Sequence, residues 1–305
     1  MTSPTIKGVW VAMVTPWDEV RGEPCRNILP SLISRFSSAG VDGLFILGTT
    51  GEGFLLSPEE RERFAEAVLE EASGKLPIIV HVGHDRTKAA VELALHAKKL
   101  GAYAISVSTP SRYPLDQREL ENHFVEVANA VEDLPVLLYD IPSSTCNEIG
   151  ATVLMRTREK APNIVGAKVS RSDWEAWEGY LNVAQSLTLL VGNDLLCLPL
   201  LLMGASGIVS GPANIMPDLY VRLYQAVCAS DINEARYWQK MIDQLCQAVH
   251  YGRPLAFIKE GVSCLGFDVG PVVRPLRNLD AYERQELERS LCALRQGVYR
   301  EAQRG

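Results

Sequence analysis

Asn163-Ile164-Val165-Gly166-Ala167-Lys168-Val169-Ser170 reads as a short strand: Pro162-Asn163 form a turn, an apolar run follows, and a lysine stands where the run ends. An apolar run without polar alternation marks a strand buried on both faces, as in a parallel sheet. Such a strand has no natural place for an ammonium, because desolvating a charge is costly or forces the group neutral. A neutral lysine is a nucleophile of the kind that attacks a carbonyl to form an imine. The ordinary alternative is that Lys168 runs its stem along the strand and places its charge in solvent at the strand end.

Similar runs recur on both sides. Gly8 to Thr15, Val41 to Leu47, Pro77 to Val82, Ala102 to Val107 and Pro135 to Tyr139 precede it, and Leu187 to Val191 and Ala205 to Val209 follow. Helical spacing fills the gaps: Ile28 to Ala39, a helix opened by Ser57-Pro58-Glu59-Glu60, Asp85 to Leu100, Asp116 to Val131, Ala151 to Lys160 and Asp173 to Gln185. A short helix from Leu195 and one opened by Pro217 complete the set. Ser57 with Pro58 and two acids is a helix start, and Gly40, Gly74 and Gly101 are stops.

Strand and helix alternate eight times, which fits an α/β fold, a closed (β/α)8 TIM barrel of about 250 residues. The competing open, doubly wound sheet would carry a G-x-G-x-x-G turn after the first strand, and this chain has none there. After residue 230 the strand pattern stops. Ile232 to His250, Leu255 to Leu265 and Tyr282 to Gln296 are helical in spacing. Residues 1–230 are therefore expected to form the barrel and 231–305 a small C-terminal helical extension.

Composition narrows the function classes. The net charge of −7 argues against a broad nucleic-acid surface. Seven dispersed cysteines without a C-x-x-C pair suit reduced cytoplasmic thiols better than a disulfide frame or a zinc site. The apolar run Leu195 to Met203 contains Pro199 and is too short for a bilayer. Val9 to Val14 is ended by Thr15-Pro16-Trp17-Asp18 and reads as a strand rather than a signal peptide. The expectation is a cytoplasmic protein acting on a small molecule, with no nucleic-acid or membrane partner.

In such a barrel the working residues sit at the carboxyl ends of the strands. Gly48-Thr49-Thr50-Gly51-Glu52, Tyr139 and Lys168 all fall there. Gly-Thr-Thr-Gly supplies N–H groups and two hydroxyls, suited to a carboxylate or equally to an ordinary polar turn. Tyr139 is either a proton shuttle or an amphipathic core residue. His81 and His84 flank Gly83 and read as polar residues at the pocket edge. No third ligand accompanies them, so no metal is expected. The glycines of Gly204 to Gly207 leave a phosphate cradle, and hence an aldolase of phosphorylated substrates, as a minor reading.

These residues together resemble the pyruvate-dependent class I aldolases typified by dihydrodipicolinate synthase and N-acetylneuraminate lyase. The resemblance rests on Gly48-Thr49-Thr50-Gly51-Glu52, Tyr139-Asp140-Ile141-Pro142, Gly166-Ala167-Lys168 and Gly192-Asn193-Asp194. Gly204 to Ser210 and Gly270 to Leu276 also match, so it spans essentially the whole chain. It implies that Lys168 forms an imine with a 2-oxo acid, that Thr49 and Thr50 bind its carboxylate, and that Thr50 bridges to Tyr139. It further implies that Tyr139 moves protons, that Gly192 and Val209 line the pocket, and that the enzyme is a homotetramer, a dimer of dimers. No cofactor is implied, since the protonated imine is itself the electron sink.

The chain departs from the synthases where they carry a tyrosine pair after Thr-Pro, having Ser111-Arg112 with Tyr113 following. It has Ser144 in place of an arginine that holds the second substrate, and Val169 after the lysine. Ser143 and Ser144 suit a hydroxylated substrate, and Arg112 is either a ligand for an acid group or a solvated loop residue. The leading expectation is an imine-forming aldolase or dehydratase acting on a 2-oxo acid such as a 2-oxo-3-deoxy sugar acid. The alternatives are the synthase itself and a non-catalytic 2-oxo-acid binder.

Overall fold

A computed structural model describes residues 6–250 and 254–302. Eight strands form the central sheet: β1 (Gly8–Ala12), β2 (Gly43–Ile46), β3 (Ile78–His81), β4 (Ala104–Ser108), β5 (Val136–Asp140), β6 (Ile164–Val169), β7 (Thr188–Val191) and β8 (Gly207–Ser210). Each pairs in parallel with the next, and β1 pairs with both β2 and β8, closing the barrel. Helices α1 (Leu29–Ser38), α2 (Pro58–Ala72), α3 (Thr87–Lys99), α4 (Gln117–Asn129), α5 (Gly150–Lys160), α6 (Trp174–Leu181), α7 (Cys197–Leu202) and α8 (Pro217–Cys228) follow the strands in turn. The barrel expected from the sequence is the barrel found.

Local chemistry explains the boundaries. Ser57 caps α2 through a reciprocal pair with Glu60, and Asp116 does the same for α4 with Glu119. β1 stops at Ala12, short of the expected Thr15, because the chain turns inward and Thr15 Oγ1 donates to the Gly51 carbonyl at 2.6 Å. The expected helix at Asp173 to Gln185 breaks into α6 and a single 3₁₀ turn at Ala184–Ser186. Two features were not anticipated: a two-residue hairpin pairing Trp17–Asp18 with Glu23–Pro24, and one helical turn at Pro142–Thr145.

Alternation along the strands divides the core in two. Residues such as Val9, Val11, Leu44, Ile46, Val107 and Leu138 face the helices. Trp10, Ala12, Phe45, Ile79, Ala104, Leu137, Tyr139, Leu190 and Val209 fill the barrel interior. Trp10 plugs the floor, stacked on Tyr103 at 6.0 Å, and Gly43 is required beside it: a Cβ there would come 2.2 Å from the indole. Beyond residue 230 lie α9 (Ile232–Ala248), α10 (Pro254–Ser263) and α11 (Ala281–Ala302). Side chains of α10 and of the segment before α11 reach over the carboxyl ends of the strands, where they help enclose the site.

Candidate active site

At the carboxyl end of the barrel a cavity of about 1120 Å³ opens above Tyr139 and Lys168. The β5–β6 register places Tyr139 opposite Lys168, with an irregularity after Val136 that brings Gly166 opposite Leu137. Both side chains therefore point inward. They are 2% and 4% exposed, and Lys168 Nζ lies 4.0 Å from the Tyr139 ring centroid and 4.3 Å from that of Phe45. Both rings lie within cation–π distance of Nζ, and Lys168 lines the cavity.

Thr49, Lys168 and Ser170 surround the Tyr139 hydroxyl. Burial pushes its pKa up, but the Lys168 charge and hydrogen bonding from Thr49, Lys168 and Ser170 outweigh that and lower it from the ordinary value. A phenol whose ionisation is eased by its neighbours is suited to proton transfer. Thr50, expected to bridge to Tyr139, lies beside Gly211. A Cβ on Gly211 would meet Thr50 Oγ1 at 2.9 Å. Gly192 is small for a specific reason: a Cβ there would come 2.1 Å from Ser170 Oγ and 3.1 Å from Lys168 Cε.

Thr49, Thr50, Tyr139, Ser144, Lys168, Gly192 and Val209 all line this one cavity. Arg112 does not. It is exposed on the loop after β4, close to Asp85, whose carboxylate accepts from the Ser111 N–H and hydroxyl at 2.7 and 2.8 Å. His81 is not at the pocket edge either. It is buried inside the barrel, edge-on to Tyr139, with Nδ1 3.1 Å from the Leu47 carbonyl. Burial, with Arg61 and Lys168 nearby, holds its pKa well below the usual histidine value, so it stays neutral. Arg61, also buried, donates to the carbonyls of His81 and Gly83 at 2.8 and 2.9 Å and fixes that turn. Among the described residues no cluster of three metal-ligating side chains occurs.

Several lining residues were not anticipated. Ser170 continues the inward alternation two residues after Lys168, a signal the strand pattern carried. Arg171 also lines the cavity, and its guanidinium is bidentate to Asp173 at 2.9 Å for each contact. It also bonds Glu148 and lies 3.8 Å from Asp140. Hydrogen bonds to Asp173 and Glu148 hold it firmly in its charged form. Arg277, at the mouth, is bidentate to Glu283 at 2.6 Å. Both cations are therefore engaged with carboxylates of the same chain. The cavity is also lined by hydroxyl- and amide-bearing side chains, Ser143, Ser144, Ser170, Ser172 and Asn193.

Known proteins place the arrangement. The family model for the dihydrodipicolinate synthetase family matches residues 5–294. An uncharacterized DapA-like lyase of Halobacterium salinarum is 40% identical over 257 residues, 84% of either chain. A 4-hydroxy-tetrahydrodipicolinate synthase of Methanopyrus kandleri is 32% identical over 291 residues, 95% of this chain and 96% of that one. Among solved structures, a prophage protein of the dihydrodipicolinic acid synthase family from E. coli, in complex with pyruvate, superposes with a TM-score of 0.90 at 26% identity, covering 96% of this chain and 99% of that one. The chain that folds this barrel and lines this cavity belongs to the dihydrodipicolinate synthetase family and is a lyase.

Proposed function

We propose that the enzyme forms an imine between Lys168 and the ketone of a 2-oxo acid, and then cleaves or dehydrates the bound chain. The observation that carries this reading is the buried pair itself: an amine with its Nζ against the Tyr139 ring, at the floor of a cavity large enough for a small metabolite. In this scheme the Lys168 amine attacks the carbonyl carbon, and the carbonyl oxygen takes a proton from Tyr139. The nitrogen then returns a proton to Tyr139, which passes it to the new hydroxyl, and water departs as the protonated C=N bond forms. The protonated imine withdraws electrons from the adjacent carbon. In cleavage, Tyr139 takes the proton of the β-hydroxyl, which becomes a carbonyl as the Cα–Cβ bond breaks to an enamine. In dehydration, the adjacent carbon first gives a proton to Tyr139 to form the enamine, which then expels the β-hydroxyl as water with that proton. The N–H groups and hydroxyls of Thr49 and Thr50 suit the carboxylate.

The hydroxyl-bearing lining from Ser143 to Asn193 favours a hydroxylated tail such as that of a 2-oxo-3-deoxy sugar acid. Arg171 and Arg277 are already matched by carboxylates, which disfavours a phosphorylated or dicarboxylic substrate. We place the enzyme in the cytoplasm, on the seven free cysteines, four of them exposed. The test is borohydride reduction in the presence of pyruvate. The wild type is expected to gain a covalent adduct mapped to Lys168, and Lys168→Arg none, since a guanidinium stays protonated and cannot attack a carbonyl. Equal labelling of the two proteins, or an adduct on another lysine, refutes the mechanism.

A further inference from the structure

A second lysine is buried near the site and takes no part in the scheme above. Lys259, on α10, is 3% exposed and its Nζ lies 2.5 Å from the Glu52 carboxylate, itself fully buried. Nζ also donates to the Pro271 carbonyl at 2.8 Å, and Glu52 Oε1 accepts from the Val273 N–H at 2.7 Å. The pair therefore joins three segments: α10, the stretch from Pro271 to Val273, and the loop Gly48-Thr49-Thr50-Gly51-Glu52.

Glu52 is well placed to govern that loop. Its backbone N–H donates to the Thr49 carbonyl at 3.0 Å, and it sits in the left-handed region at φ 55, where a side chain stays only when its surroundings hold it. The other anchors of the loop lie elsewhere, at Leu47 through His81 and at Gly51 through Thr15. A neighbouring residue of Lys259, Ile258, comes to the same side of Gly211 as Thr50: a Cβ on Gly211 would lie 3.3 Å from one and 2.9 Å from the other. A buried ion pair is a poor way to gain stability, since desolvation offsets the attraction and a well-packed apolar pair often does better. Its value here lies in where it holds the chain.

We infer that Lys259 is a positioning residue for substrate: through Glu52 it fixes Thr49 and Thr50 in the geometry that receives the carboxylate of a 2-oxo acid. The inference rests on the 2-oxo-acid reading of the site. It makes α10 part of the binding apparatus of the barrel rather than an appendage to it.

The experiment compares wild type, Lys259→Met, Glu52→Gln and the double variant, using pyruvate as probe. Four quantities are read: the pyruvate concentration for half-maximal borohydride labelling, the labelling at saturation, hydrogen exchange of the peptide covering residues 47–55, and the thermal midpoint. Lys259→Met should raise the half-saturating concentration about tenfold or more while saturated labelling changes less than about threefold, the pattern of lost binding rather than lost chemistry. Exchange in residues 47–55 should quicken. The double variant, which leaves no unpaired buried charge, should recover the thermal midpoint but not the pyruvate affinity. Wild-type affinity and exchange in Lys259→Met would overturn the inference. So would affinity returning together with the thermal midpoint in the double variant, which would make the pair merely structural. If the wild type takes no label, the imine reading fails, and the exchange data alone still decide whether Lys259 holds the loop.

Discussion

Tyr139 and Lys168 are register partners on neighbouring parallel strands, and the amine of one lies 4.0 Å from the ring centroid of the other. Parallel pairing at this register, with both side chains inward, gives the barrel one ammonium among aromatic rings and one phenol whose ionisation that ammonium favours. Under the proposed mechanism neither residue acts alone: the lysine needs the tyrosine as its proton partner, and the tyrosine needs the lysine charge to ease its ionisation.

Tyr139→Phe is nearly isosteric and keeps the edge contact with Phe45 at 5.9 Å, so the variant should fold with an unchanged circular dichroism spectrum. Its turnover should fall on the order of 10²-fold or more, the usual scale for a positioned acid–base group. Turnover close to wild type would assign the tyrosine to packing.

We propose that Ser144 governs substrate choice. With a serine at this lining position and Arg171 already bound to carboxylates, condensation of pyruvate with aspartate semialdehyde should be slow. A missing charge-assisted carboxylate contact is worth roughly 1.5–3 kcal/mol. That is about tenfold or more in kcat/KM. Ser144→Arg should recover part of it. Wild-type synthase activity matching the best cleavage activity in a panel of sugar-derived 2-oxo acids would make the enzyme a synthase.

Acid sensitivity should arise in part at His123. It is buried against α3, 2.9 Å from Thr87 Oγ1, and burial lowers its pKa to about 4. Because the folded value lies below the unfolded one near 6.5, the neutral ring stabilises the fold above pH 6.5, and that contribution is lost as pH falls from there toward 4. The full effect is on the order of 3 kcal/mol. Urea midpoints measured from pH 7 to pH 4 should fall less steeply for His123→Leu than for wild type. Parallel curves would assign the acid sensitivity to other groups.

Assembly is the fourth expectation. Tyr113 is 72% exposed, yet its carbonyl is held by Asn147 Nδ2 at 2.8 Å, so an aromatic ring stands out from a fixed loop. We propose that this loop contacts a second subunit in a dimer of dimers. Light scattering should report a mass near four copies of the 33.6 kDa chain. A fully active species at the mass of one chain would exclude it.

The order of strands and helices was legible in the sequence because burial on both faces of a parallel sheet forces continuous apolar runs, and capping residues such as Ser57 and Asp116 mark helix starts locally. Lys168, Tyr139 and the Gly-Thr-Thr-Gly turn stood out for the same reason: they are polar where the local pattern calls for apolar residues, or glycine-rich where a strand ends. What the tertiary structure alone decided is which distant groups meet. Closure of the barrel placed His81 inside rather than at the rim and left Arg112 outside the cavity. It also surrounded Arg171 with carboxylates from three segments and joined Glu52 to Lys259. Local periodicity fixes whether a side chain faces in or out. Register, loop direction and the pairing of charges far apart in the chain are set by how whole strands and helices pack, and no short stretch of sequence contains them.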